Sequence, residues 1–360
     1  MSPALVSVCL PNLNTFPYLR ERMETILAQT HTNWELIVSD NFSNDGAWEL
    51  FQEFARREPR ISIAQAPREG LYQNWNRCLQ RARGDYVYVA TSDDGMAPDC
   101  LEKLVAALER HPECDAAHCA LVVVDEAGRP LPDPWWLRGL FHRSLPELAG
   151  RRHVRRAPYD GLLCLSGEQV YYSITEWLFR RDLFSRTGTF ESRWGSVGDF
   201  NWYMRVGLVA NIAHVPDTWA SWRVHDKQAT DYSRLRTVEH QETVEDMIHE
   251  AVAAAGPHLA PAVAEGLRAR WLHESREMRA YYRGLGHRPR ALDRRVFQLA
   301  KAVGGAEPRS EILRRLWGQP GWPDTLPDRL RSWLESLGSP VVITDVGNGD
   351  VVTRPALARD

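Results

Sequence analysis

Short apolar runs alternate with amphipathic segments through the first 125 residues, and that alternation restricts the chain to an α/β layered arrangement. Leu5 to Leu10 reads as a buried strand, and Pro11-Asn12-Leu13-Asn14 as the break after it. Leu19, Met23, Ile26 and Leu27 then recur on one helical face. Trp34 to Ser39 reads as the second strand, followed by a polar loop from Asp40 to Gly46, a helix over 46–57 and a strand from Ile61 to Gln65. A helix after Gly70 carries Asn74, Trp75 and Asn76 and ends near Gly84. Asp85 to Ala90 forms a further strand that runs into Thr91-Ser92-Asp93-Asp94-Gly95. Pro98 suits a first helical turn, with Leu101, Leu104, Val105 and Leu108 behind it on one face, before a strand at about 115–124.

Strands joined through helices imply a mostly parallel central sheet flanked by helices. Three polar loops, at 11–16, 40–46 and 91–97, then leave the carboxyl edge of that sheet, where ligands bind in open α/β folds. The sequence has neither a Gly-x-Gly-x-x-Gly turn nor a Gly-Lys-Thr phosphate loop, which disfavours a dinucleotide enzyme and a P-loop ATPase.

At 360 residues the chain is long enough for about two domains. We divide it into a nucleotide-binding α/β half at 1–125, a second half at 126–230 and a mainly helical extension at 231–360. Pro130 to Trp136 reads as a loop or lid. Ile174 to Arg180, Ile212 to Val215 and Trp219 to Val224 read as strands, and Gly198 to Val206 as a helix. The extension is expected to end in a β-hairpin turning at Gly347-Asn348-Gly349-Asp350. A net charge of −3 gives no electrostatic argument for nucleic acid, and no apolar run reaches the ~18–20 residues of a membrane span. Six scattered cysteines without a CxxC pair, and no signal peptide, point to reduced thiols and a cytoplasmic protein. Cys114, His118 and Cys119 have no fourth ligand at a zinc-site spacing and read as buried strand residues.

Adjacent carboxylates at a strand end, Asp93 and Asp94, repel unless a cation screens them. Mg²⁺ or Mn²⁺ takes one or two carboxylates together with phosphate oxygens, so the pair could clamp a diphosphate, although an N-cap before Pro98 uses the same residue type. Asp199 suits a general base or, again, a helix cap. Arg223 and His225 stand at alternate strand positions and so share a face, where they suit a phosphate or a metal–phosphate unit. Asp40, Asn41 and Asn76 could bond a base or ribose, or serve as turn and cap residues. Residues 268–301 carry ten Lys/Arg against three Asp/Glu and read as a solvated helix face; an anionic acceptor or an acidic lipid surface is the alternative.

Taken in order, these segments resemble the family 2 glycosyltransferases of GT-A fold. The resemblance is carried by Val6 through Asn14, Gln29-Thr30, Trp34 through Asp45, Asn74-Trp75-Asn76, Ala82 through Val87, Thr91-Ser92-Asp93-Asp94, Leu178 through Arg181, Gly188 through Glu191, Asp199, Arg205 and Arg223-Val224-His225, across roughly residues 4–230. It implies inverting transfer from a nucleotide-diphosphate sugar, a UDP-sugar by default, to an acceptor hydroxyl. Pro11, Asn12, Asn14, Asp40, Asn41, Asn76, Asp93 and Arg223 would contact the nucleotide sugar. Asp93, Asp94 and His225 would hold Mn²⁺ or Mg²⁺, and Asp199 would be the catalytic base. Two residues depart from the family pattern: Thr91 stands where a first metal-motif Asp is common, and Asn41 where a second base-loop Asp is common. The acceptor implied would be a glycan, a lipid-linked molecule or a small molecule, and Trp135, Trp136, Trp177, Trp194 and Trp202 would stack on sugar faces at the acceptor side or pack the core. A homo-oligomer is compatible with the sequence. The competing readings are a sugar nucleotidyltransferase and a non-catalytic nucleotide-sugar-binding protein.

Overall fold

The computed structural model describes residues 3–131, 146–165, 171–226, 228, 238–267, 332, 335–338 and 342–346. Trp135 and Trp136, the basic stretch 268–301, and the turn and return strand of the expected hairpin lie outside these residues.

The sheet begins as the apolar runs suggest. Strands β1 (Val6–Asn12), β2 (Trp34–Asp40), β3 (Ile61–Gln65) and β4 (Tyr86–Val89) pair in parallel in the order β3-β2-β1-β4. Helices α1 (Phe16–Leu27), α2 (Ala47–Arg57) and α3 (Leu71–Arg81) connect them. Alternation along each strand divides the core in two. Val6, Val8, Leu10, Leu36, Val38, Tyr86 and Tyr88 face one layer with Met23, Ile26, Phe51 and Phe54 of α1 and α2. Cys9, Ile37, Val87 and Val89 face the other, with Tyr72, Trp75 and Cys78 of α3. Because both faces are covered, the strands read as continuous apolar runs.

Pro11 does not end β1, which continues to Asn12. Cys9 offers its carbonyl to Ala90 N–H, and Asn12 offers its own to Asn41 N–H on the opposite side. Pro11 therefore faces the side where β4 has already stopped, and its missing N–H costs no ladder bond.

Beyond β4 the sheet becomes mixed. A two-residue strand β5 (Gly95–Met96) precedes α4 (Cys100–Arg110), and β6 (Ala116–Val124) follows. One turn, α5 (Pro146–Ala149), leads to β7 (His153–Arg155) and α6 (Tyr159–Leu165). A 3₁₀ turn at Ile174–Glu176 enters β8 (Trp177–Arg180), then α7 (Leu183–Thr187), α8 (Gly198–Val209), β9 (Ile212–Arg223) and α9 (Val238–Ala255). The final described strand, β10 (Ile343–Asp345), is antiparallel to β7. The full order is β10-β7-β9-β6-β8-β4-β1-β2-β3, with β5 on β9. Among the described residues only β6–β9 is parallel in this second half, while β8 is antiparallel to both β4 and β6.

One expectation changes here. The strands expected at 212–215 and 219–224 are one strand interrupted by a bulge: Val215 pairs with Cys119 and Trp219 with Ala120, so 216–218 loop out. The first strand of the expected tail hairpin is present at Ile343–Asp345, where it pairs with β7. Where α6 crosses α8 the backbones touch: a Cβ on Gly207 would lie 2.4 Å from Gly161 N.

Arg155 is buried between β7 and α6. Its Nε donates to Asp160 at 2.8 Å, while Nη1 and Nη2 lie 2.6 and 2.9 Å from Nε2 of His153 and His118. Rings that accept from a guanidinium must be neutral. Burial accordingly pushes the His118 imidazole well below its ordinary range, with His214 and Arg155 reinforcing it. Burial and then the Arg155 charge push His153 down to about 3. Unfolded, the same imidazole titrates near 6.5 and takes up a proton that the folded one refuses. Below about pH 6 the parent should therefore lose ~1 kcal/mol of stability per pH unit relative to a His153→Gln variant. Urea unfolding of both proteins at pH 7.5, 6 and 5 measures the difference; parallel pH dependences would exclude it.

Candidate active site

Parallel pairing places Asn12 opposite Asp40 at the ends of β1 and β2. There the ladder stops and side chains take over the hydrogen bonding. Asp40 is fully enclosed, and its carboxylate accepts from Asn12 Nδ2 at 2.8 Å, Ser43 Oγ at 2.5 Å, Ser43 N at 3.0 Å and Gln65 Nε2 at 3.2 Å. Asn41 is also buried and donates its amide to the carbonyls of Ala66 and Pro67, each at 3.1 Å. Both residues sit at the expected nucleotide loop, yet their polar atoms shape that loop from inside. Asn14 ties the two loops together: its N–H donates to Ser43 Oγ, and its side-chain oxygen accepts from Asn44 N–H. Beside the exposed Asn14 and Asn44, three apolar side chains stay in solvent here, Leu13, Phe16 and Phe42 at 44%, 43% and 53% exposure. Phe42 also holds a positive φ of 51°, which is uncommon for a bulky residue.

The acidic pair after β4 divides its work. Asp93 retains 23% of its side-chain surface and meets His225 Nε2 at 3.0 Å. Asp94 is 2% exposed and accepts from Arg223 N–H at 2.8 Å and from the Thr91 hydroxyl. Burial, reinforced by the Asp93 charge, pushes the Asp94 carboxyl up to about 7. Asp94 is thus a brace inside the loop, and Asp93 is the carboxylate turned outward. Thr91, at the position of the missing family Asp, is that brace's partner.

Arg223 reaches the same place, but all three of its guanidinium nitrogens are engaged. Nε donates to Asp93 O at 2.8 Å, Nη1 to Glu126 O at 3.0 Å and Nη2 to Glu21 Oε2 at 2.8 Å. Its charge lies 5.1 Å from the Tyr18 ring centre, and Tyr18 stacks against His225 at 4.8 Å. The expected phosphate ligand thus latches β9 to the loop after β4, the loop after β6 and helix α1. Tyr18 and Glu21 had no signal in the sequence beyond ordinary helix positions.

Asp199 opens α8. Its Oδ1 accepts from the Tyr72 hydroxyl and from Phe200 N–H, each at 2.9 Å. Burial pushes its carboxyl up to about 6, and those two hydrogen bonds restrain the rise. Asn76, expected near base or ribose, points elsewhere: its amide clamps Phe190, donating to O at 2.8 Å and accepting from N at 3.1 Å.

Two helices connect these groups. In α1 and the residue before it, Thr15 bonds Asn12 at 2.5 Å while Tyr18, one turn on, touches His225. In α3, Tyr72 reaches Asp199 while Asn74, two residues on, bonds Ser39 Oγ at 2.6 Å and Ser39 O at 2.9 Å. The ends of β1 and β2 are thereby tied to Asp93–His225 on one side and to Asp199 on the other.

Among the described residues no group of three or more His, Cys, Asp or Glu is arranged as a metal cage. One outward carboxylate beside an imidazole nonetheless fits a hard divalent ion that completes its shell with diphosphate oxygens and water.

The sequence model of the family described as "Glycosyl transferase family 2" matches residues 7–188. A Bacillus subtilis protein that carries the name of a glycosyltransferase, EpsE, is 32% identical over 166 residues, covering 44% of this chain and 58% of the relative. Another from that organism, TuaG, named for teichuronic acid biosynthesis, is 33% identical over 129 residues, covering 35% and 50%. The chain thus spans little more than half the length of these relatives. Staphylococcus aureus TarS (residues 1-349) in complex with UDP-GlcNAc has a similar structure, with TM-score 0.57 and 16% identity over 93% of this chain and 92% of that one. Mannosyltransferase PcManGT from Pyrobaculum calidifontis, in complex with GDP-Man and Mn²⁺, aligns with TM-score 0.50 and 18% identity over 93% and 84%. These likenesses establish the fold as GT-A type, and no described helix is long and apolar enough to cross a membrane.

The enclosed Asn41 amide makes a direct test of this loop. An Asn41→Asp substitution would set a carboxylate against two carbonyls and should cost ~1–3 kcal/mol. Denaturant unfolding at pH 7.5 reads this; an unchanged midpoint would mean that the amide makes no such bonds.

Proposed function

Since the chain belongs to glycosyl transferase family 2, we propose that it moves a sugar from a nucleotide-diphosphate donor to an acceptor hydroxyl with inversion, using Asp199 as base. The observation that carries this reading is the connection, through α1 and α3, of Asp93–His225 and Asp199 to the loops at the carboxyl edge of one parallel sheet. A UDP-sugar is the first donor to try; TarS with UDP-GlcNAc and PcManGT with GDP-Man support a nucleotide sugar in general. A cytoplasmic setting is supported by six buried free thiols.

In this mechanism Asp93 and His225 would hold Mn²⁺ or Mg²⁺ against the diphosphate. Such an ion, when bound, offsets the charge that grows on the leaving group. Asp199 Oδ2 takes the acceptor proton as the hydroxyl oxygen bonds to the anomeric carbon. The bond from that carbon to the phosphate oxygen breaks, and the nucleoside diphosphate leaves from the opposite face. A carboxyl at about 6 is largely ionised at pH 7 and still near enough to neutrality to accept a proton.

Nucleoside diphosphate release from a panel of sugar donors, with a glycan or lipid-linked acceptor and with or without Mn²⁺, tests the activity; pyrophosphate release would favour nucleotidyl transfer instead. The rate should rise with pH through about 6, as Asp199 loses its proton. Asp199→Asn should lower turnover about 10²-fold or more with donor binding kept; turnover equal to the parent removes Asp199 from the chemistry. His225→Ala and Asp93→Asn should each weaken nucleoside diphosphate binding in Mn²⁺ more than in its absence, because each removes one of two ion ligands. Calorimetric titration with and without Mn²⁺ distinguishes this from a general loss of affinity.

A further inference from the structure

We propose that Tyr72 is a positioning residue for Asp199, fixing Oδ1 so that Oδ2 is presented to the acceptor; this rests on Asp199 being the base. Three features of the geometry support it.

First, the two oxygens of Asp199 differ. Oδ1 accepts from Tyr72 and from Phe200 N–H, so the carboxylate cannot rotate freely without losing two bonds. Second, the phenol is itself held. The ring of Tyr72 stacks on Phe190 at 6.0 Å and meets Trp75 edge-on at 5.0 Å, and Asn76 clamps the backbone of Phe190. Tyr72, Trp75 and Asn76 recur at i, i+3 and i+4, so one face of α3 fixes the ring. Third, the approach depends on a residue without a side chain. A Cβ on Gly198 would sit 2.6 Å from a Tyr72 ring carbon and 2.6 Å from Glu191 O. Gly198 therefore permits the close packing that brings the phenol to its neighbour in sequence.

The hydroxyl has one proton and two acceptors, Asp199 Oδ1 at 2.9 Å and Ser196 O at 3.1 Å. Donation to an ionised oxygen is the stronger bond, so the phenol favours the charged base. After Oδ2 has taken a proton, Oδ1 is a weaker acceptor and the hydroxyl can turn to Ser196 O. Burial alone would keep this carboxyl protonated to higher pH, and Tyr72 counteracts that.

The test is Tyr72→Phe, which keeps the ring and its stacking and removes the hydroxyl alone. It is compared with the parent and with Asp199→Asn by nucleoside diphosphate release across pH 5–9. Expected are a kcat about 10- to 100-fold lower at pH 7, donor KM within about twofold, an acidic limb displaced upward by about one pH unit, and partial recovery above pH 8. A lower kcat with an undisplaced limb would make Tyr72 a packing residue only and overturn the proposal. So would a parent-like Tyr72→Phe alongside an inactive Asp199→Asn. An active Asp199→Asn would instead remove the base, and the positioning role with it.

Discussion

A polar or charged side chain taken out of water must find partners in the protein, at a cost of several kcal/mol for a charge that does not. The carboxyl edge of this sheet is organised by that requirement. Where the strands stop, their last backbone groups lose ladder partners, and the loops fold back on themselves through Asn12, Asp40, Ser43 and Asn41. Asp94 is drawn inward by Thr91 and the Arg223 backbone, and Arg223 is consumed in latching three segments. Of the charged groups here, Asp93 keeps part of its surface in solvent beside His225, and the two bonds of Asp199 are both taken on Oδ1.

This explains which part of the site could be read from residue types. The polar loops, the acidic pair, Asp199 and the Arg-Val-His segment all stand out in the sequence, and the structure pairs Asp93 with His225 and Asp94 with Arg223. Whether a given Asp or Asn faces ligand or loop is not encoded in its type or spacing. Asp93 and Asp94 are neighbours with opposite orientations, set by contacts of the folded chain: Arg223 N–H and the Thr91 hydroxyl hold Asp94, while His225 meets Asp93. Tyr72 carried no signal at all, because its part depends on a glycine more than a hundred residues away in the chain.

The fold follows the same division. Long apolar runs and a one-sided helix pattern announce β1 to β4 and α1 to α4, since their burial is local to each segment. Short pieces such as β5 and β7 have too few residues to show a period and become strands through their neighbours, β9 for both and β10 also for β7. Pro216 reads as the end of a strand, but the chain loops out three residues and resumes its pairing. Asp217, on that bulge, is then held by Arg152 at 2.6 Å.

The strand Ile343–Asp345 also bears on how the chain is made. Its neighbour, β7, is synthesised early, yet the ladder between them cannot close until translation has passed Asp345. Pairing across so long an interval is entropically slow, and during it the backbone of His153–Arg155 stays open to foreign strands. A three-residue closing strand, pinned by the ion pair of Asp345 with Arg151, offers other chains little to pair with once it is seated. Ile343–Asp345, nearly two hundred residues on from β7, thereby closes an edge that would otherwise invite aggregation of the newly made protein.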